Sequence, residues 1–477
     1  MKQAANVSLL KQIPQVEEVL KCSAMKELED CYPHFLLANC VRSEITALRN
    51  SILAGEEPEF SAESIAAAAK ARTIKFMAPS LRRIINATGV VIHTNMGRSV
   101  MAPQAVEEVI DVIKGYSTCE YNVDQMKRGS RHSHCERLLC ALTGAEAAIA
   151  VNNNAAAVIL VLSEFAKGHE AMVSRGELIE LGGSFRIPDI MDQSGATMVE
   201  VGTTNKTHPA DYANAITENS SMMLKIHKSN YQLIGFTESV SLAELRNIAD
   251  KHEKETGQKI LVFEDQGSGS FVELSRYGAY AEPTVADSIA GGADLVSFSG
   301  DKMLGGPQCG IVVGSKKLID RLKKNPLARV VRLDKMTLAA LEGTLRLYLQ
   351  GEDAINTIPT VRMLSESADD VKVRTDQLLK LIEARVDTSK VELKVVPEIS
   401  RAGGGSLPMY DIDTYALQIR PLIGSTEELD QHLVQRCPIP IVARIARNAV
   451  IVDPRTLMGD EELEAVAEGV KSYFEAL

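Results

Sequence analysis

No apolar run in this 477-residue chain reaches the roughly 18 residues needed to cross a bilayer. The opening "MKQAANVSLLKQIPQVEEVL" has no apolar core and carries acids early, so it is unlike a signal peptide, and the cytoplasm is the expected compartment. Eight cysteines are scattered without one C-x-x-C pair, which argues against a zinc site or a disulfide framework. The densest group of ligand types is "RHSHCE", with His132, His134 and Cys135, and no second pair accompanies it to complete a metal site. A formal net charge of −11 removes any global pull toward nucleic acid, so a polyanion has to be met by a local patch. There is no internal repeat or low-complexity tract. What remains is ordinary globular usage, 45% hydrophobic and 24% charged, at a length that suits two or three domains.

From Leu36 to Ile52, the residues Leu37, Val41, Ile45, Leu48 and Ile52 recur at three- and four-residue spacing, one face of an amphipathic helix. "AGEEPEFS" interrupts it, Ser61 is placed to cap a second helix, and Pro79 closes the region. Residues 1–79 therefore read as a helical N-terminal module. Beyond it, "AAIAV", "AMVS", "TMVEVG", "MMLKIH", "ILVFED", "LVSFSG" and "GIVVG" alternate with helical stretches, the pattern of a mainly parallel sheet covered by helices. Residues 80–350 form this large α/β domain, which ends in the helical "TLAALEGTLRLYLQ". After Gly351, a helix through "VRMLSESADDVKVRTDQLLKLIEARV" leads to strand runs "VELKVV", "ALQIRP", "IVARI" and "AVIVD" and to a last amphipathic helix. Residues 351–477 are thus a small C-terminal α/β domain.

Ligands of open α/β sheets sit beyond the carboxyl ends of the strands, and three polar clusters fall there. "AAIAVNNNAAAVILVL" runs from a strand through Asn152, Asn153 and Asn154 into a helix, so free N–H groups and the positive helix end are offered to a phosphate. "ILVFEDQGSGS" places Asp265 past a strand, with Gly267 and Gly269 allowing close backbone approach. "LVSFSGDK" places Ser299, Asp301 and Lys302 past another. Taken singly, a loop lysine is usually solvated, an acid after a strand usually caps a helix, and an Asn-rich turn is usually only a turn. Together they supply what pyridoxal phosphate needs: a lysine for its Schiff base, an acid that keeps the pyridine nitrogen protonated, and a phosphate cradle.

The stretches "INATGVVIHTNMGRS", "VNNNAAA", "SRGELIELGGSFRIPDIM", "VGTTNKTH", "KIHKSNYQLIGFT", "GSGSFVELSRYG", "SFSGDKMLGGPQCGIVVG" and "DKMTLAALEGTLRLYL" resemble the bacterial selenocysteine synthases, the L-seryl-tRNA(Sec) selenium transferases. The resemblance runs over nearly the whole chain, the helical module included. It implies a fold-type-I pyridoxal-phosphate enzyme with a seven-stranded type of large domain, whose dimers assemble into a ring-shaped homodecamer. Lys302 of "SGDK" is implied as the Schiff-base lysine, with Asp301 in the same site and Asp265 as the pyridinium partner beside Glu264. Arg98 of "TNMGRS" and Arg329 and Arg332 of "NPLARVVR" match the arginines that bind the selenium donor, and His227, Ser229 and Asn230 of "HKSN" line the pocket.

The reaction so implied is β-replacement on a serine already esterified to tRNA. Lys302 takes the Cα proton, the β-hydroxyl leaves, and selenium adds from selenophosphate, whose oxygens suit guanidinium forks. The partner is seryl-tRNA(Sec), and the helical module is its expected binding part. Arg42, Arg49 and Arg72, with Arg82 and Arg83 just past the module, are the candidate phosphate contacts, although acids roughly balance bases over 1–79. Two other readings compete. A lyase acting on a small free or phosphorylated amino acid has no need of the helical module, and a non-catalytic RNA-binding or scaffold protein has no need of an intact lysine, acid and phosphate turn.

Overall fold

The structure, a computed structural model, describes residues 8–180, 186–228, 231, 233–277, 282–351 and 353–477. The chain divides into two units, Met1–Arg83 and Ile84–Leu477. In the first, the helix His34–Leu53 buries Leu37, Val41, Ile45 and Ile52, the row its spacing predicts, and Leu48 is half-buried. The helix Ala62–Met77 starts in a reciprocal cap: the Ser64 N–H donates to Ser61 Oγ at 3.1 Å and the Ser61 N–H to Ser64 Oγ at 2.9 Å. Such a cap stabilises a helix by about 1 kcal/mol. Ile65, Ala66 and Ala69 of that helix share a core with Val19, Leu20 and Met25 from two short helices.

The seven runs read as strands are the seven strands of one sheet in the second unit. In chain order they are β1 (Ala147–Val151), β2 (Glu170–Ser174), β3 (Thr197–Val201), β4 (Ser220–Ile226), β5 (Leu261–Gly267), β6 (Leu295–Ser299) and β7 (Gly310–Gly314). They lie in the order β1-β7-β6-β5-β4-β2-β3, all parallel except β7, which runs antiparallel to both its neighbours. Strands covered on both faces read as unbroken apolar runs, and β1, β6 and β7 are buried at every residue. β3 at the edge is exposed or half-buried except at Val201. The switch of direction at β7 lets the chain return from the β6 end directly into the sheet, between β6 and the edge strand β1. Lys302 therefore sits in the turn between two paired strands.

The C-terminal sheet is built on a hairpin longer than its apolar runs suggest, Val391–Gly403 against Ser406–Pro421. It also recruits a segment from far upstream. Val90–Ile92 adds to its edge in parallel, and Ile85–Asn86 pairs with Ile441–Val442. Gly89 in that segment, at φ 75°, lies so close to Asp453 that a Cβ would stand 2.1 Å from Oδ2. The expected single helix after Gly351 is two, Pro359–Ser365 and Ala368–Glu383. Ser367 caps the second through the Asp370 N–H. Buried Arg455 ties these pieces together: Nε donates to Ser400 Oγ, Nη1 to the carbonyls of Met363 and Glu366, and Nη2 to that of Asp413. A buried guanidinium is tolerated only when its donors are satisfied in this way.

Candidate active site

The register of the central strands brings the sequence clusters to one place. Ile226 of β4 lies opposite Asp265 of β5, which lies opposite Ser297 of β6. The β5–β6 ladder then slips by one residue at a bulge past Ser297, the kind of irregularity that re-aims side chains beside a site. Asp265 is buried. Its Oδ1 accepts hydrogen bonds from Asn154 Nδ2 at 2.8 Å and Ser297 Oγ at 3.0 Å. Its Oδ2 is equally buried and has no partner among the described residues. Burial raises this carboxyl's pKa, while Asn154, Ser297, Lys302 and His227 pull it down.

Alternation along β5 separates the two neighbouring acids. Asp265 faces Asn154, whereas Glu264 turns to the opposite face, paired in register with Lys225. The Glu264 carboxyl is pushed up to about 7, first by burial. It stands apart from the Asp265 site.

Lys302 and Asp301 follow β6 through Gly300, where a Cβ would meet Cys309 Sγ at 2.4 Å. Burial lowers the pKa of the Lys302 amine, against the pull of Asp265. Asp301 is buried and takes Nη1 of Arg98 at 2.8 Å. Arg98 has φ 65°, a left-handed backbone that follows Gly97 at φ 87°. Ser299 is buried at the end of β6.

The three asparagines have separate roles. Asn153 caps the helix Asn154–Phe165 by accepting the Ala156 N–H at 2.8 Å. Asn154 serves Asp265, and Asn152 is exposed, its N–H donated to the Val331 carbonyl at 2.9 Å. The N–H groups of Asn154 and Ala155, at the positive end of that helix, take no hydrogen bond among the described residues. Arg332 bridges to Val151 and so stands beside this turn. Arg329 is exposed on the short helix Pro326–Val330. Neither has an ion-pair partner among the described residues. His227, just past β4, donates its backbone N–H to the Asp265 carbonyl at 3.0 Å, and Ser229 and Asn230 lie outside the described residues. Sequence reasoning missed Ser297 and Ser268, which lie inside the quoted stretches but were not singled out there, and Glu282, which lies outside them; strand register and loop return bring them to the site. Outside the site, His134 of "RHSHCE" lies 3.1 Å from the Cys119 carbonyl and Cys135 is buried.

The residues present fit pyridoxal phosphate. A buried carboxylate oxygen awaits a ring N–H, an amine of lowered pKa stands within the field of that carboxylate, and two unused helix N–H groups await a phosphate. The strand order and this site define a fold-type-I pyridoxal-phosphate-dependent enzyme fold. Among solved structures, that of D-glucosaminate-6-phosphate ammonia-lyase superposes with a TM-score of 0.56 at 19% identity, over 84% of this chain and 99% of the other. That likeness shows the fold alone. The family model for L-seryl-tRNA selenium transferase matches residues 84–458, and the one for the selenocysteine synthase N terminus matches residues 10–49. The L-seryl-tRNA(Sec) selenium transferase of Geobacter sulfurreducens is 44% identical over 457 residues, 95% of this chain and 97% of the relative. That of Maridesulfovibrio salexigens is also 44% identical, over 98% of this chain and 100% of the relative. The chain belongs to the L-seryl-tRNA selenium transferase family.

Glu264 offers a test of the buried sheet's electrostatics. Between its ordinary value of 4.5 and about 7, the folded chain holds a proton that the unfolded chain has released. Stability therefore falls as pH rises through that window and levels off above it. Glu264→Gln keeps the shape without ionising. Its stability advantage over the natural chain is expected to grow from pH 5 to pH 8, reaching about 3 kcal/mol. Chemical denaturation at several pH values measures this, and a pH-independent difference would contradict it.

Proposed function

We propose that the chain converts L-seryl-tRNA(Sec) to L-selenocysteinyl-tRNA(Sec), with pyridoxal phosphate at the Asp265–Lys302 site and selenophosphate as donor. The observation that carries the reading is Asp265 Oδ2, a buried acceptor without a partner among the described residues. When bound, the cofactor supplies a protonated ring that accepts the electron pair released at the substrate's Cα. Asp265, with Oδ1 fixed by Asn154 and Ser297, holds that ring nitrogen protonated. The Asn154 and Ala155 N–H groups receive the phosphate. Lys302 would hold the cofactor through its aldehyde carbon until the seryl amine displaces it, and the freed amine, of lowered pKa, would then take the Cα proton. Arg329 and Arg332, without an ion-pair partner among the described residues, receive the donor's oxygens, while Arg98 is held by Asp301.

The helical unit is the tRNA-binding part in this reading. Arg42 and Arg49 are exposed without a carboxylate partner among the described residues, whereas Arg72 is paired with Glu44. We also read the chain as a homo-oligomer, with dimers building a decamer. The exposed row Val106, Ile110 and Ile113 on the helix Pro103–Ile113 supports pairing of copies.

Borohydride reduction is expected to fix the cofactor to the peptide carrying Lys302, and Lys302→Ala to lower turnover by at least about 10²–10⁴-fold. A label on another lysine would move the site. With both Arg329→Ala and Arg332→Ala, cofactor absorbance and seryl-tRNA binding should persist. Donor affinity should fall by about 1.5–3 kcal/mol for each guanidinium removed. Loss of cofactor as the main effect would place these arginines at the phosphate instead. Replacing Arg42 and Arg49 by Ala should reduce the slope of log affinity for tRNA(Sec) against log salt by about two. An unchanged slope would put the tRNA contacts elsewhere.

A further inference from the structure

His227 and Glu282 have no part in the chemistry given to Lys302, Asp265 and Asp301, yet the fold draws both into that site. The Glu282 side chain is 5% exposed, and its Oε1 accepts Ser268 Oγ at 2.8 Å. His227 Nδ1 stands 3.5 Å from the same Oε1, buried and without a hydrogen-bond partner among the described residues. The imidazole is 23% exposed while its Nδ1 is buried, so solvent reaches the ring away from Nδ1. The titratable groups about His227 are Glu282 and, from β5, Asp265, and Lys302 lies within the fields of both.

Charge balance gives this pair a meaning. Asp265, Asp301 and Glu282 are three buried carboxylates, and the cations set among them are Lys302 and Arg98. Two cations for three carboxylates leave one negative charge to be met, and buried carboxylates are tolerated when paired. A contact of 3.5 Å is loose for a hydrogen bond, and such contacts commonly tighten when a site fills.

We infer, on the function proposed above, that Glu282 positions a protonated His227, and that His227 gives its Nε2 proton to the departing β-hydroxyl of the seryl group. The step balances. Lys302 accepts the Cα proton, and the electron pair of that C–H bond closes the Cα–Cβ double bond. The Cβ–O bond breaks with its pair on oxygen, the imidazolium proton joins that oxygen, and water leaves. His227 remains neutral, with Nδ1–H toward Glu282, and regains a proton from solvent at its exposed edge. His227 is then a catalytic residue and Glu282 a positioning residue.

The test compares seryl-tRNA(Sec) with β-chloroalanyl-tRNA(Sec), whose chloride leaves without a proton, on the full-length holoenzyme. His227→Asn is expected to lose about 10²–10⁴-fold in turnover on the first substrate and to keep most of its rate on the second. Glu282→Gln should shift the same ratio in the same direction, less far. Because the ratio is taken within each variant, a loss of folded protein cancels. Equal losses on both substrates, or none on either, overturn the assignment. Deuterium exchange at the imidazole C2, read by mass spectrometry on the peptide carrying residue 227, reports its protonation directly. Glu282→Gln should alter that exchange profile, and an unaltered profile overturns the role given to Glu282. If the natural chain turns over neither substrate, the proposed function fails, while the exchange measurement still decides the pair.

Discussion

Burying the Asp265 carboxylate at the end of a central strand carries a desolvation cost that only specific partners can offset. Two of them are protein groups, and each fixes part of the architecture. Ser297 reaches Oδ1 only because β6 lies beside β5 in a register that sets the two residues opposite each other. Asn154 reaches it only because the helix after β1 starts at the same edge of the sheet, 111 residues earlier in the chain. Strand order, register and helix placement are all coupled to one carboxylate. Its second oxygen is left for a ligand.

The same edge depends on unusually close backbone packing. A Cβ at Gly310 would stand 2.1 Å from the Asn153 carbonyl, and one at Gly269 would stand 2.7 Å from the Ser299 carbonyl. β7 therefore passes directly under the asparagine turn, and the loop after β5 lies on the end of β6. The glycines of "GSGS" and "QCGIVVG" are needed for this contact between layers as much as for ligand approach. The Lys302 turn is held between these two contacts, which explains how an amine in a loop is kept partly out of water.

Much of this was legible in the sequence. The seven strands announce themselves as apolar runs because both faces of the sheet are covered, and Ser61 and the spacing of Leu37, Val41 and Ile45 mark the N-terminal helices. Asp265 and Lys302 were identifiable because strand, acid and glycines, or strand and lysine, are adjacent in the chain. What was hidden depends on contacts between distant residues. Val90–Ile92 is too short to show a period, and only the hairpin it joins makes it a strand. Ser297 reads as one more small residue in a buried run. Asn153 and Asn154 are the same residue type in the same turn, yet one caps a helix and the other holds an acid. Glu282 lies in a segment with no motif, and its importance comes from Ser268 and His227.

The arginines show how a shared motif can divide into different roles once burial is known. Arg98 faces a buried carboxylate, and drawing it away would leave Asp301 as an unpaired charge out of water, at a cost of several kcal/mol. An anion competing for Arg98 must offset that cost. Arg329 and Arg332 have no ion-pair partner among the described residues, Glu120 acting on Arg332 only at a distance, so an incoming anion has no close carboxylate to displace there. Under the proposed function, the donor is therefore held first by Arg329 and Arg332, and Arg98 acts mainly by fixing Asp301. Its left-handed backbone fits that role, because a strained residue persists only where its surroundings hold it in place, and here the Asp301 pair is one such restraint.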